Sequence, residues 1–114
     1  MQEQLFTIGN FARLGQVSID TLRHYAQMGL LEPAYIERTN GYRYYQLAQL
    51  VPLERIRELR LLGFSLAEIQ TMNENPETIL GLYHQRYEAL QLEQKKTEQL
   101  IIQLSQKIKE AQHV

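Results

Sequence analysis

The chain contains no cysteine. That absence removes disulfides, thiolate metal sites and cysteine nucleophiles together, and it suits a reducing compartment. No apolar run approaches the ~20 residues that a bilayer span needs. The start, Met1-Gln-Glu-Gln, lacks the basic stretch and apolar stretch of a secretory signal. The expected location is the cytosol. An excess of one charge is missing too: twelve Lys and Arg stand against thirteen Asp and Glu, a net −1 at pH 7. Residues 1–60 hold seven Arg, no Lys and six acids; residues 61–114 hold five cations and seven acids. This is not the footprint of a strongly basic nucleic-acid binder, so any DNA affinity must come from a few placed cations and backbone amides. Paired carboxylates, a Ser-His-Asp set, a phosphate loop and a metal cluster are absent at any recognisable spacing, which argues against an enzyme and against a cofactor.

What is present is ordinary globular composition, with 44% hydrophobic and 22% charged residues over 114 positions. Thr7 can cap a helix carrying Ile8, Phe11, Ala12 and Leu14 at helical spacing, and Gly15-Gln16-Val17 breaks it. Ser18 caps a second helix with Asp20 in its first turn, where a carboxylate suits the helix dipole. Ile19, Leu22 and Ala26 share its apolar face, and Gly29 with Pro33 ends it near Met28. Two short helices joined by a tight glycine-containing turn make a helix-turn-helix. Asn40-Gly41 then separates Tyr35-Ile-Glu-Arg38 from Tyr42-Arg-Tyr-Tyr45, a strong hairpin signal. Alternation places Tyr42 and Tyr44 on one side of the second strand and Arg43 and Tyr45 on the other.

A third helical stretch spans about Leu47 to Leu62, with Leu50, Leu53, Ile56, Leu59 and Leu62 as its inner stripe and a kink or separate first turn at Pro52. Ser65-Leu-Ala-Glu68 is a capping box opening a short helix from Leu66 to about Met72, and Asn73-Glu-Asn-Pro76 reads as a linker. From Glu77 to about Ala111 there is no proline and one glycine, Gly81. Tyr83, Leu90, Thr97, Leu104 and Ala111 fall seven apart there, flanked by Leu80, Tyr87, Ile101 and Ile108, with Leu100 beside them. Arg86, Glu93 and Lys107 at companion positions make the seam imperfect. A helix of about 34 residues is ~50 Å long, too long to bury that stripe on a head of about 70 residues. A second copy of the chain is the simplest partner. The expected fold is mainly α: a winged helix-turn-helix with a small β-hairpin wing over 1–75, then a long coiled-coil helix over 76–114.

The second helix is the candidate recognition helix, offering Ser18, Thr21, Arg23, His24 and Tyr25 as hydrogen-bonders. Arg23 suits phosphate or a guanine fork, whereas His24 and Tyr25 suit phosphate. Tyr42 and Arg43 form a wing that can grip backbone, while Tyr44 or Tyr45 packs inward. Arg55, Arg57 and Arg60 on the third helix are further candidates, and the amides of Leu66 and Ala67 open a helix that can face a phosphate.

In order and spacing, Phe6-Thr-Ile-Gly-Asn10, Val17-Ser-Ile-Asp-Thr-Leu-Arg-His-Tyr25, Gly29-Leu-Leu31, Gly41-Tyr-Arg-Tyr-Tyr45 and Leu59-Arg-Leu-Leu-Gly-Phe-Ser-Leu-Ala-Glu-Ile69 resemble the MerR family of bacterial regulators. The resemblance covers about residues 5–72 and is nearest the multidrug-sensing branch. It implies a homodimer joined by an antiparallel coiled coil, bound to a pseudo-palindrome in double-stranded promoter DNA within the nucleoid. Activation would follow from bending and untwisting an overlong −35/−10 spacer so that RNA polymerase engages both elements. The implied DNA contacts fall on Ser18, Thr21, Arg23, His24 and Tyr25, on Tyr42 and Arg43, and on Arg60 with Leu66. His24 stands where that branch often has tyrosine, and Gln46 and Pro52 depart from its usual entry to the third helix.

The family's metal sensors use cysteines that this chain lacks, and His84 and His113 lie far apart on one helix. His84 is instead placed to pair with Glu88. The multidrug branch carries a ligand domain beyond the coil, so the residues fit either the N-terminal part of a longer protein or a naturally short member. Two rivals to a transcription regulator are an excisionase-like DNA-bending protein, disfavoured by the long helix, and a coiled-coil adaptor, disfavoured by the recognition helix and wing.

Overall fold

The computed structural model describes residues 4–113. They divide into two compact units, 1–76 and 77–114. The first unit runs β1 (Leu5–Thr7), α1 (Ile8–Gly15), α2 (Ile19–Met28), β2 (Tyr35–Ile36), β3 (Arg43–Gln46), α3 (Leu50–Leu61) and α4 (Leu66–Glu74). The second is dominated by α5 (Ile79–Gln112). The winged, mainly helical architecture is the expected one. No helix of the described residues is long and apolar enough to cross a membrane.

Local chemistry fixes the helix starts. Thr7, Ser18 and Ser65 each turn a side-chain oxygen onto the backbone N–H three residues on, those of Asn10, Thr21 and Glu68, at 3.2, 3.0 and 3.1 Å. Glu68 returns a bond to Ser65 N at 2.9 Å, completing the capping box. Gly29 closes α2 at φ 76°. The end of α1 differs: the left-handed residue is Gln16, at φ 57°, and Gly15 is the last helical residue. Gly15 is bare for another reason, since a Cβ there would collide with Leu53 Cδ2 of α3.

Three further departures from the sequence reading have simple causes. The wing is a three-stranded antiparallel sheet in the order β1-β3-β2, with Phe6 opposite Tyr45 and Tyr35 opposite Tyr44. The extra strand, β1, is three residues long, too short for alternation to announce. The hairpin loop is longer than Asn40-Gly41 alone. Glu37 N–H donates to Tyr42 O and Gly41 N–H to Glu37 O, both at 2.8 Å, while Asn40 Oδ1 accepts from Tyr42 N. Finally, α4 extends to Glu74 and a 3-10 turn covers Pro76–Thr78, so the expected linker is mostly helical.

The core of the first unit gathers Phe11 and Ala12 of α1, Leu22 of α2, Leu30, Leu31, Tyr45, Leu53, Ile56, Leu59, Phe64, Ile69 and Met72. Tyr45 stacks on Phe11 with centroids 4.6 Å apart and planes 10° from parallel, joining sheet to helix. Leu14 and Leu62, both expected inside, are exposed. The chain turns at Gly63, and buried Phe64 takes the place that the stripe assigned to Leu62. Pro52 does mark a separate first turn: a 3-10 turn over Leu47–Gln49 precedes α3, and Pro52 is its third residue, where no intrahelical donor is required. Gln46 is settled by a bond from its N–H to Gln49 Oε1 at 2.9 Å.

Considered by itself, α5 is 34 residues long and buries none of them. Leu80, Tyr83, Tyr87, Leu90, Leu100, Ile101, Leu104 and Ile108 are all exposed, each by 41% or more. Thr97 is exposed as well. Among the described residues His84 and Glu88 form no ion pair, whereas Lys107 pairs with Glu110 at 4.0 Å.

Candidate nucleic-acid interface

The buried side of α2 orients the rest of it. Leu22 is fully buried, so its neighbours Arg23 and His24 emerge into solvent, with Thr21 and Tyr25 half-buried at the margins. Ser18 holds the start of the helix: its hydroxyl accepts from Thr21 N and lies 2.8 Å from Thr21 Oγ1. A hydroxyl both donates and accepts, and this exposed pair can still meet an external group. Arg23 lies 3.7 Å from Asp20, but their side chains are 59% and 95% exposed. Such a pair contributes little and gives way readily to a phosphate.

The wing comes to the same place. Arg23 and Gln27, one helical turn apart on α2, line a cleft of about 460 Å³ with Thr7, Ile8, Gly41, Tyr42, Arg43 and Tyr44. Two arginines and two tyrosines thus contribute to the lining of one concave surface. Tyr42 is 63% exposed at its rim, and Arg43 is half-buried. The central strand separates the two jobs that its aromatic residues do. Tyr45 points into the core, where burial raises its phenol pKa and the nearby charge of Arg43 works in the opposite direction. Tyr44 faces Tyr35 with centroids 6.1 Å apart. Tyr35 donates to Glu37 Oε2 at 3.2 Å, and that bond, then the Glu37 charge, raises its pKa.

A second depression of about 290 Å³ joins Tyr25 to Val17, Leu53, Arg57, Arg60 and Leu61. Of the three α3 arginines, Arg60 is exposed and donates to Phe64 O at 3.1 Å, tying down the Gly63-Phe64 loop. Arg55 crosses to Asn73 Oδ1 of α4 at 2.6 Å. Arg57 lines the depression, and its guanidinium turns to the Gly15 and Gln16 carbonyls and to Glu54. Leu66 lines neither hollow; it opens α4, where the capping box occupies the Ser65 and Glu68 amides. The structure therefore collects Arg23, Tyr42 and Arg43 in one cleft and Tyr25 with Arg60 in another, with Ser18, Thr21 and His24 along the α2 surface. Thr7 and Gln27 were not singled out by sequence. For Gln27 the signal was there, since it lies four residues beyond Arg23 on one helical face.

Comparison with known proteins follows this geometry. The family model for MerR HTH family regulatory proteins matches residues 6–75. The multidrug-efflux transporter 1 regulator of Bacillus subtilis is 39% identical over 70 residues, which are 61% of this chain and 25% of that protein. The chain thus spans a quarter of the length of that curated relative. Among solved structures, the EcmrR–DNA complex in EcmrR-RPo superposes with a TM-score of 0.74 at 37% identity, covering 81% of this chain and 34% of that one. The N-terminal part of MtaN, the Bacillus subtilis multidrug transporter activator, gives 0.75 at 28% identity, covering 90% and 97%. With the family model matched over more than half its length and the winged cleft in place, this chain belongs to the MerR family of helix-turn-helix regulatory proteins.

Proposed function

We propose that this chain is a sequence-specific transcription regulator that binds promoter DNA as a homodimer. The observation that carries the reading is the convergence of Arg23 from α2 with Tyr42 and Arg43 from the wing on one cleft. A helix seated in the major groove places its N-terminal residues at base edges, and a cation-bearing hairpin beside it meets the flanking backbone. Ser18, Thr21, Arg23, His24 and Tyr25 serve the helix side, Tyr42 and Arg43 the wing, and Arg60 with the Leu66 amide a second backbone contact. The EcmrR structure, solved with DNA, supports this placement. Residues 1–75 act as the DNA-binding unit and 76–114 as the dimerisation helix, its exposed stripe covered by a second copy in antiparallel pairing. Such a dimer acts in the cytoplasm and activates by distorting an overlong −35/−10 spacer for RNA polymerase, so that deformation energy sets the output. Its work is binding rather than catalysis.

The test is footprinting on the upstream region of the chain's own gene. Two half-sites protected symmetrically, with enhanced cleavage between them from spacer distortion, are expected. Protection without distortion would remove the spacer mechanism, and no protection on any promoter would remove the DNA reading.

A further inference from the structure

We propose that Arg57, which touches no candidate DNA contact surface through its hydrogen bonds, is the positioning residue that sets the recognition helix. The inference rests on the DNA-binding reading above. Its guanidinium is a three-way fork. Nη2 donates to the carbonyls of Gly15 and, at 3.2 Å, of Gln16, while Nη1 donates to Glu54 Oε2 at 2.8 Å. The side chain is 31% exposed, so these bonds form in a partly dry site.

The two carbonyls belong to the turn of the helix-turn-helix. The last carbonyls of a helix lack intrahelical donors and carry the negative end of its dipole. Here the Gln16 and Val17 amides satisfy Ala12 O and Arg13 O. The Gly15 and Gln16 carbonyls are taken by Arg57 instead. Gly15 makes the reach possible. Its missing Cβ leaves room for Leu53, one turn before Arg57 on α3, so the two helices approach closely at that point. The residue under the fork, Gln16, holds the left-handed backbone at φ 57°, the one positive φ outside glycine among the described residues. Two residues later Ser18 caps α2. A cation on α3 therefore fixes the hinge from which the recognition helix departs. Lysine, a point charge on a flexible stem, cannot reproduce the fork.

Arg57 also lines the hollow with Tyr25 and Arg60, so a direct phosphate contact is the competing role. Salt dependence separates the two. A lost phosphate contact lowers the slope of log K against log salt by about 0.9 per subunit, equally for all sequences. A misplaced helix weakens binding to the preferred sequence and leaves the slope alone. The probe is a duplex selected from a random pool by the wild-type chain, with a scrambled duplex beside it. Binding is read at a temperature where circular dichroism shows every variant folded. Arg57→Ala is expected to lose about tenfold affinity for the selected duplex, with an unchanged salt slope and unchanged binding to the scrambled one. Arg57→Lys should recover only part of this, and it stands in should the alanine variant fail to fold. In hydrogen exchange, the Val17 and Thr21 amides should open faster in the variant while the core amides of α3 hold. A slope reduced by about 0.9 per subunit, about 1.8 for the dimer, with uniform weakening would make Arg57 a phosphate contact. Unchanged affinity in folded protein would confine it to stability. Should the wild type select no duplex, the DNA reading fails, and the exchange of Val17 and Thr21 alone decides the latch.

Discussion

Tyr45 carries the one buried side-chain polar atom among the described residues that has no hydrogen-bond partner, its phenolic oxygen. The ring is fully buried and stacked on Phe11, so the apolar part of the residue is well used. The hydroxyl is not: a buried, unsatisfied donor costs roughly 1–3 kcal/mol in lost hydration. Tyr45→Phe removes that oxygen and keeps the ring. Allowing for the small void left behind, a gain of about 1–2 kcal/mol is expected. For a domain of this size, 1 kcal/mol moves the thermal midpoint by roughly 4–8 °C, so calorimetry at fixed protein concentration resolves the effect. A second readout comes from pH. Burial raises the folded phenol pKa above its ordinary 10.0, so the fold favours the protonated form. Its contribution is whole below the unfolded value of 10.0 and is lost as pH rises through the higher folded value. Wild type should therefore lose stability above about pH 10 more steeply than Tyr45→Phe. A lower midpoint in the phenylalanine variant, or identical alkaline profiles, would refute the claim that the hydroxyl is an unpaired burden.

Gly15→Ala tests the contact between α1 and α3: helix propensity alone favours alanine by about 1 kcal/mol, but the collision with Leu53 adds roughly 1–3 kcal/mol of overpacking. Urea melts should show net destabilisation, partly relieved when Leu53 is shortened to valine, and a stabilised Gly15→Ala would deny the close approach. Arg23→Ala and Arg43→Ala should each weaken promoter binding and lower the salt slope by about 1 per subunit in salt-titrated shift assays; unchanged binding in both removes the proposed docking. The absence of cysteine makes α5 pairing directly testable. The stripe Leu80, Tyr83, Tyr87, Leu90 is separated from Ile101, Leu104, Ile108 by the polar pair Gln94 and Thr97, at the middle of a helix running from Ile79 to Gln112. An antiparallel pair centred there brings Gln94 of one chain to Thr97 of the other. Mixed Gln94→Cys and Thr97→Cys chains should then oxidise to a heterodimer, whereas efficient bridging of Gln94→Cys to itself would indicate parallel pairing.

The sequence was legible where a single residue type has one physical use. Thr7, Ser18 and Ser65 announced their helices because a short side-chain oxygen before an apolar period has little else to do there. Gly29, Pro52 and the Ser65-Glu68 box behaved likewise. The site was legible as types at positions: Arg23 on the solvent side of a helix anchored by Leu22, and Tyr42-Arg43 beside the hairpin turn. What stayed hidden depends on long-range approach. β1 exists because β3 offers it an edge, a fact no three-residue window contains. Gly15 looked like a turn glycine, yet its bareness answers to Leu53, 38 positions away. Arg57 and Arg60 are alike in sequence, three apart on one helix; only the carbonyls opposite them assign one inward and one outward. Gln27 lies on the Arg23 face of α2, a placement legible in the sequence, and only the wing that folds against its helix adds it to the cleft.

The near-neutral net charge is the feature least expected of a DNA-binding head, and the structure shows how such a head manages with it. Of the seven arginines in residues 1–60, half-buried Arg57 bonds the Gly15 and Gln16 carbonyls, exposed Arg55 bonds Asn73, and Arg60 lends one donor to Phe64 O. Diffuse cationic attraction is therefore weak, and non-specific affinity should be low even at modest salt. Of the remaining four, Arg13 and Arg38 are exposed elsewhere, while Arg23 and Arg43 share one cleft that a two-fold dimer would present twice. With Arg60 as the further backbone contact, six such arginines in a dimer account for a salt slope of only about −5.4, so a measured slope near that value fits a protein that spends little energy on wandering along DNA. Discrimination then rests on whether both clefts seat together, which depends on the spacing and twist of the duplex between them. A slope of −8 or steeper would require phosphate contacts beyond these six, and would shift the weight of recognition from geometry back to charge.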